Sequence, residues 1–194
     1  MVQPTPMKDQ ILSVATDLFA AKGFKGTSIR DISNALGISI SNLYHYFGSK
    51  EGLLLAILQR TSETLLDDLQ RVSEMELEPL ERFKRLIETH LRQCRDFGKE
   101  TRIFMLDKEH LSREGDRANR QIQRRVLAIY LKELGTLANR GLVTSRNLKV
   151  LAFNVLGVIN WYLRWYRPDG PLSHDEVTEE ITAFILNGIR GADI

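Results

Sequence analysis

Apolar residues recur at three- and four-residue spacing along almost the whole chain, and no stretch alternates in twos with β-branched enrichment. The pattern predicts an all-α fold of about nine helices. Ile11, Leu12, Ala15, Leu18 and Phe19 form a first stripe, stopped near Gly23, where glycine supplies the positive-φ residue that helix C-termini favour. Ser28, followed three residues later by Asp31, opens a second helix bearing Ile29, Ile32 and Leu36 in a capping-box-like pattern. Gly37 breaks it. Ser39 opens a short third helix to Tyr46, and Ser49 caps a long fourth one with Leu53, Leu54, Ile57, Leu65 and Leu69 on its apolar side.

Beyond Val72 the chain turns acidic over Glu74–Pro79, and Pro79 suits the first turn of a new helix. Further helices are expected over 79–97, 99–111, 116–139, 146–166 and 175–190, punctuated by Gly98, Gly115, Gly141 and the turn Arg167-Pro-Asp-Gly-Pro171. The domain boundary is drawn inside the fourth helix, dividing the chain into residues 1–52 and 53–194. Arg113, Arg117, Arg120, Arg124 and Arg125 fit a solvated helix face better than a second polyanion site.

With 194 residues, 43% hydrophobic and 27% charged, the composition is that of a soluble globular protein. A net charge of +2 is too small to mark a nucleic-acid binder, so any basic footprint must be local. The single Cys94 excludes an intrachain disulfide and fits a reducing compartment. The N-terminus lacks a signal-peptide h-region, and the longest apolar run, Leu53 to Leu58, falls far short of the roughly 20 residues that span a bilayer. A cytoplasmic protein with no membrane association is the expectation.

The segment Thr27 to Lys50 places two short helices around a glycine turn, the layout of a DNA-reading helix-turn-helix. The second helix of such a unit lies in the major groove and needs small polar side chains that reach base edges without filling the groove. Ser39, Ser41 and Asn42 supply them, while Leu43 and Phe47 face inward. Tyr44, His45 and Tyr46 can reach phosphate oxygens through hydroxyl and ring N–H groups. Lys50 adds a charge beside the amide donors at the start of the fourth helix, and Thr27 and Ser28 are placed to contact the flanking strand. Residues 1–52 are thus the candidate DNA-binding domain, leaving 53–194 for ligand binding and dimerisation.

Residues 8 to 55 resemble the N-terminal domain of the TetR family of one-component transcriptional regulators. The resemblance is carried by the spacing of Ala15, Phe19, Gly23 and Thr27, by Ile32-Ser-Asn-Ala-Leu-Gly-Ile-Ser39, and above all by Leu43-Tyr-His-Tyr-Phe-Gly-Ser-Lys-Glu51. Ser41 and Asn42 depart from it, the family more often having glycine and threonine there. The resemblance implies a homodimer on a palindromic operator, with reading heads set about 34 to 36 Å apart, and repression as the usual mode.

The C-terminal part must then dimerise and sense a signal. The stripe Leu151, Val155, Val158 and Tyr162 and the last helix's Val177, Ile181, Phe184, Ile185 and Gly188 suggest a four-helix interface, two helices from each chain. Trp161, Arg164 and Trp165 at i, i+3 and i+4 share one helix face, which suits a ligand with an apolar or planar body and an anionic group. An Arg snorkelling past two interfacial tryptophans fits the spacing equally well. Arg164-Trp-Tyr-Arg-Pro-Asp-Gly-Pro-Leu172 resembles the closing segment of TetR-family repressors of lipid and steroid breakdown, and implies an acyl-CoA thioester as the effector. Its acyl part would then lie among Phe104, Met105, Tyr130 and Trp161, with Arg164, and less so Arg120 and Arg124, near the phosphates.

The rival readings are weaker. The four histidines are scattered, with no triad, paired carboxylates or phosphate loop around them, so neither an enzyme nor a cofactor is expected. His90 and Cys94 at i and i+4 lack further metal ligands. A helical protein-interaction module would not need the polar groove-facing residues, whereas a TetR-type sensor of aromatic or cationic hydrophobic compounds would keep them.

Overall fold

The computed structural model describes residues 7–100, 103 and 111–190. Among the described residues every regular element is helical: α1 (Met7–Gly26), α2 (Ile29–Leu36), α3 (Ile40–Phe47), α4 (Lys50–Ser73), α5 (Pro79–Asp96), α6 (Arg113–Asn139), α7 (Leu148–Trp165) and α8 (His174–Arg190). Residues 98–100 and Ile103 are also helical and Leu111 lies in a bend, while the other residues of the helix expected over 99–111 lie outside the described residues. The all-α fold follows as the three- and four-residue spacing predicts. No helix among the described residues is long and apolar enough to cross a membrane.

The chain divides into two compact units, Met1–Ser62 with Phe97–Arg120, and Glu63–Asp96 with Gln121–Ile194. In the first, Ile11, Leu12, Ala15 and Phe19 of α1 close over Ile32, Leu43 and the α4 residues Leu53, Leu54, Ile57 and Leu58. Ile103 is buried in the same cluster and Leu111 packs against it, so this small core borrows apolar surface from far along the chain. Burying a side chain such as Phe19 contributes about 1.5 to 3 kcal/mol. Gly23, at φ 74°, breaks the helical path of α1, and three helical residues follow it.

In the second unit each helix turns one stripe inward. Leu66, Leu69 and Val72 come from α4, Phe83, Leu86, Ile87 and Leu91 from α5, and Val126, Tyr130, Leu134 and Leu137 from α6. The inward stripe of α7 is Ala152, Val155, Ile159 and Tyr162, and that of α8 is Val177, Ile181, Ile185 and Ile189. This corrects the interface drawn from sequence. Val155, Tyr162, Val177, Ile181 and Ile185 are core residues of their own chain, Val158 is half-buried, and of the seven only Phe184 is exposed. The outward face of α7 carries Val150, Phe153 and Trp161 instead.

Capping chemistry moves several boundaries. Ser112 accepts the Gly115 N–H at 3.2 Å and starts α6 three residues before the expected position. Gly115, expected as punctuation, lies inside that helix, where a Cβ would come within 2.9 Å of Leu55 Cδ2. Asn147 accepts the Val150 N–H at 3.1 Å and caps α7. Ser173 and Glu176 form a reciprocal box at the start of α8, with the Ser173 N–H donating to Glu176 Oε2 at 2.8 Å and the Glu176 N–H to Ser173 Oγ at 3.2 Å.

The second unit also pairs several of its buried polar groups, whereas Gln93 Oε1 and the Thr182 hydroxyl are buried without a hydrogen-bond partner among the described residues. His90 Nδ1 pairs with the Tyr130 hydroxyl at 3.0 Å, and the Tyr162 hydroxyl with His174 Nδ1 at 2.9 Å. Glu133, with a fully buried side chain, accepts from Ser73 Oγ at 2.7 Å and Arg82 Nε at 2.8 Å. Removing either partner would leave a buried charge or dipole uncompensated, at about 1 to 3 kcal/mol for a neutral group and more for an ion.

Candidate nucleic-acid interface

The turn between α2 and α3 is fixed by its own hydrogen bonds. Ser28 caps α2 in a full capping box with Asp31, which draws the Asp31 carboxyl below its ordinary range. Gly37 closes the helix at φ 66°, a left-handed conformation that glycine adopts without strain. The Ile38 N–H then donates to the Ser33 carbonyl at 3.2 Å, while Ser33 Oγ donates to the Ile38 carbonyl at 2.6 Å. Ser39 Oγ accepts the Asn42 N–H at 3.2 Å and caps α3.

On α3, Leu43 is buried and Ile40 and Phe47 are half-buried, leaving Ser41, Asn42, Tyr44, His45 and Tyr46 exposed together. The helix ends at Gly48, φ 71°, and Ser49 Oγ accepts the Gly52 N–H at 2.9 Å to start α4. Gly52 has no substitute in this geometry, because a Cβ would lie 2.0 Å from the Phe47 carbonyl oxygen. Lys50 Nζ stands 4.3 Å from the centre of the Phe24 ring, a cation–π contact that holds the ammonium at the start of α4.

The structure therefore sorts the nine residues singled out for DNA. Ser41, Asn42, Tyr44, His45 and Tyr46 form one exposed polar and aromatic surface on α3. Ser28 and Ser39 are exposed but cap helices with their hydroxyls. Thr27 is corrected: it is 1% exposed, and its hydroxyl donates to the carbonyls of Leu18 at 3.1 Å and Gly23 at 3.0 Å. It ties the broken end of α1 to the start of α2 instead of facing a nucleic acid. Three exposed cations went unnoticed in the sequence, Lys22 and Lys25 in the last turns of α1 and Arg30 in the first turn of α2. Their signal was proximity to Thr27-Ser28, obscured by a low net charge.

The effector wall proposed from sequence is not assembled. Tyr130 is fully buried, whereas Trp161 is 64% exposed; Phe104 and Met105 lie outside the described residues. Trp161, Arg164 and Trp165 do share the outward face of α7, with the Trp165 ring edge-on to Tyr162 at 6.1 Å. His90 and Cys94 both face the core, where burial lowers the imidazole to about 4 and pushes the thiol up to about 12, so neither is set up as a metal ligand. Among the described residues no cluster of three or more His, Cys, Asp or Glu side chains could hold a metal.

A cleft of about 640 Å³ runs between α5 and α8. Its cations are already paired: Lys84 and Arg85 face Glu88 at 3.8 and 4.0 Å, Arg92 faces Asp68 at 3.9 Å, and Arg95 holds Asp96 at 2.8 Å. Such partly exposed pairs describe a solvated charged surface.

Residues 11–57 match the bacterial regulatory proteins of the tetR family, and residues 76–189 match the tetracyclin repressor-like C-terminal domain. The chain belongs to the TetR family. It is 27% identical to the HTH-type transcriptional repressor KstR2 of Mycolicibacterium smegmatis, over 96% of this chain and 92% of that protein. Among solved structures, the TetR family regulator PfmR from Thermus thermophilus is 30% identical with a TM-score of 0.86, covering 96% of this chain and all of the other. AibR, solved with isovaleryl coenzyme A and operator DNA, has the same fold at 24% identity and a TM-score of 0.81, covering 91% of this chain and 96% of its own. As a TetR family member this chain is a DNA-binding transcriptional regulator and not an enzyme. TetR regulators bind operator DNA and small-molecule effectors and act as dimers, and the tetR-family match over residues 11–57 spans α2 and α3.

Proposed function

We propose that this regulator is a cytoplasmic repressor that holds a palindromic operator as a homodimer and lets it go when an acyl-CoA thioester binds. The observation that carries the DNA half is the single exposed surface made by Ser41, Asn42, Tyr44, His45 and Tyr46 on a short helix locked at both ends. Asn42 offers the bidentate amide that pairs with adenine in the major groove, and the tyrosine hydroxyls are sized for phosphate oxygens. The partner face is the outward side of α7 and α8, where Phe153, Trp161 and Phe184 expose more than half of their surface. Bare rings in such number on one chain call for a second copy, as obligate interfaces do.

The effector reading is supported by the segment Arg164 to Leu172 and by the existence of a same-fold regulator, AibR, that holds isovaleryl coenzyme A. In this chain the acyl part would enter the apolar interior of the second unit beside Tyr130. Its hydroxyl, paired with His90, is a buried polar group that could turn to a thioester carbonyl. Release follows as linkage: a ligand that favours the dimer geometry unable to span the operator weakens DNA binding by the factor with which DNA weakens ligand binding.

A thermal-shift series with acyl-CoA thioesters, free coenzyme A, free fatty acids, and aromatic and cationic compounds tests this reading. At about 100-fold excess over Kd the bound thioester adds about 2.7 kcal/mol, raising Tm by roughly 5 °C or more in a chain of this size. The same thioester should weaken operator binding. A response only to free acids or to aromatic cations would replace the thioester with that class.

A further inference from the structure

The cleft of about 640 Å³ between α5 and α8 lies wholly within the second unit and has the size of a small-molecule site. Its two walls carry opposite charge. Lys84, Arg85, Arg92 and Arg95 line the α5 side with one carboxylate, Glu88, whereas α8 presents Asp175 and Glu179 to the cleft and no Lys or Arg. His174 lines the α8 side too, but burial lowers its imidazole and it adds no cation at neutral pH. Facing walls of opposite sign attract, yet among the described residues no ion pair joins the two helices. Lys84 and Arg85 turn to Glu88 of their own helix and Arg92 turns to Asp68 of α4, at 3.8, 4.0 and 3.9 Å, all longer than a hydrogen bond. Exposed pairs of this length give way to a better partner at little cost.

The floor supplies an independent observation. Thr182 lines the cleft at 3% exposure, and its hydroxyl has no hydrogen-bond partner among the described residues. A buried hydroxyl left unpaired is costly, and a ligand in the cleft would supply the missing partner. On the same helix Ala183 and Leu186 add apolar lining. A simple anion would meet three carboxylates here, and a simple cation four Lys and Arg side chains. A ligand carrying both charges a few ångströms apart satisfies both walls. We propose that this cleft binds a free amino acid, its carboxylate held by Arg92 and the Thr182 hydroxyl, its ammonium by Glu179, and its side chain laid over Ala183 and Leu186. This site is separate from the interior assigned to the acyl chain, and the inference does not depend on a thioester being the effector.

The test is calorimetric titration of the full-length dimer with the common L-amino acids one at a time. Each that binds is then compared with its N-acetyl derivative, its methyl ester and inorganic phosphate. At least one amino acid should bind, and loss of either charge should weaken it about tenfold or more, as expected for a charged hydrogen-bonded group. Arg92→Gln and Glu179→Gln should each weaken it as much. Thr182→Val keeps the shape of the side chain and removes the unpaired hydroxyl, so the ligand-free protein should melt no lower while amino-acid affinity falls severalfold. That split separates a ligand contact from a structural role. Binding by no amino acid, equal binding of the N-acetyl derivative, the ester or phosphate, a loss in only one of the two charge variants, or full affinity in Thr182→Val would each overturn the proposal.

Discussion

The two units are built inside out relative to one another. In the first, the described buried polar side chains are small hydroxyls, with Thr27 and Ser33 serving nearby backbone carbonyls, and its aromatic surface residues Tyr44, His45 and Tyr46 all carry polar tips. In the second, histidines, tyrosines and a glutamate are paired inside, and the rings outside, Phe153, Trp161 and Phe184, belong to largely apolar side chains. Exposure of aromatic surface therefore does not by itself mark a binding function of one kind. Tipped rings suit water and phosphate, bare rings suit another protein, and titratable pairs in a core give a ligand something to compete with.

The outer rings should show the largest effect. Replacing Trp161 and Phe184 together by Glu places two charges in the proposed interface while leaving the inward stripes of α7 and α8 intact. Sedimentation should show a folded monomer, and affinity for a palindromic operator should fall about a thousandfold, because the second reading head no longer binds intramolecularly. A variant that stays dimeric would move the interface off this face and erase the contrast between the two aromatic surfaces.

The helices were legible from local spacing and caps, because both depend on neighbours within four residues. Which stripe of a helix turns inward was not. On α7 the stripe through Val155 and Tyr162 and the one through Phe153 and Trp161 are both apolar, and only the packing of the whole unit decides that the first is core. Tyr130 and Trp161 were grouped by chemistry although one is buried and the other exposed. Gly115 shows the same limit at one residue: as a sequence symbol it resembles a stop, and only the approach of Leu55 reveals a packing position. The reading helix was legible because Ser41, Asn42, Tyr44 and the capping serines lie within a few residues of one another. Thr27 failed because the carbonyl it serves on Leu18 is nine residues back.

The titratable core should show the next effect. Burial lowers His90 from 6.5 to about 4, so the folded protein binds fewer protons than the unfolded chain between those values. Stability is then fully present above about pH 6.5 and declines as pH falls toward 4, by on the order of 3 kcal/mol in total. The carboxyls Asp31, Glu51 and Glu176 are held low by Ser28, Ser112 and Ser173 and act in the same direction, but only below their ordinary values of 3.8 to 4.5. Both tryptophans lie in α7, so denaturation followed by their fluorescence reports the second unit. His90→Phe should lower stability at neutral pH by stranding Tyr130, and should flatten the fall between pH 6.5 and 4.5. A profile unchanged in that window would mean that the imidazole gains a proton without cost, and that the core is wetter than its packing indicates.

The tipped rings should show the smallest effect and the most informative one, because two neighbouring residues are expected to fail differently. Asn42→Ala removes an amide that can read a base edge, at about 1 to 3 kcal/mol, and should relax preference at one operator position. Tyr44→Phe keeps the ring and removes only a hydroxyl, so it should weaken binding a few-fold, evenly across operator variants. Lys50→Ala should flatten the dependence of log affinity on log salt by about 0.9, the contribution of one phosphate contact. Competition binding across single-base operator variants at two salt concentrations separates the three. If Tyr44→Phe instead changes which base is preferred, the tyrosine enters the groove, and the tips of these rings serve base readout as well as phosphate contact.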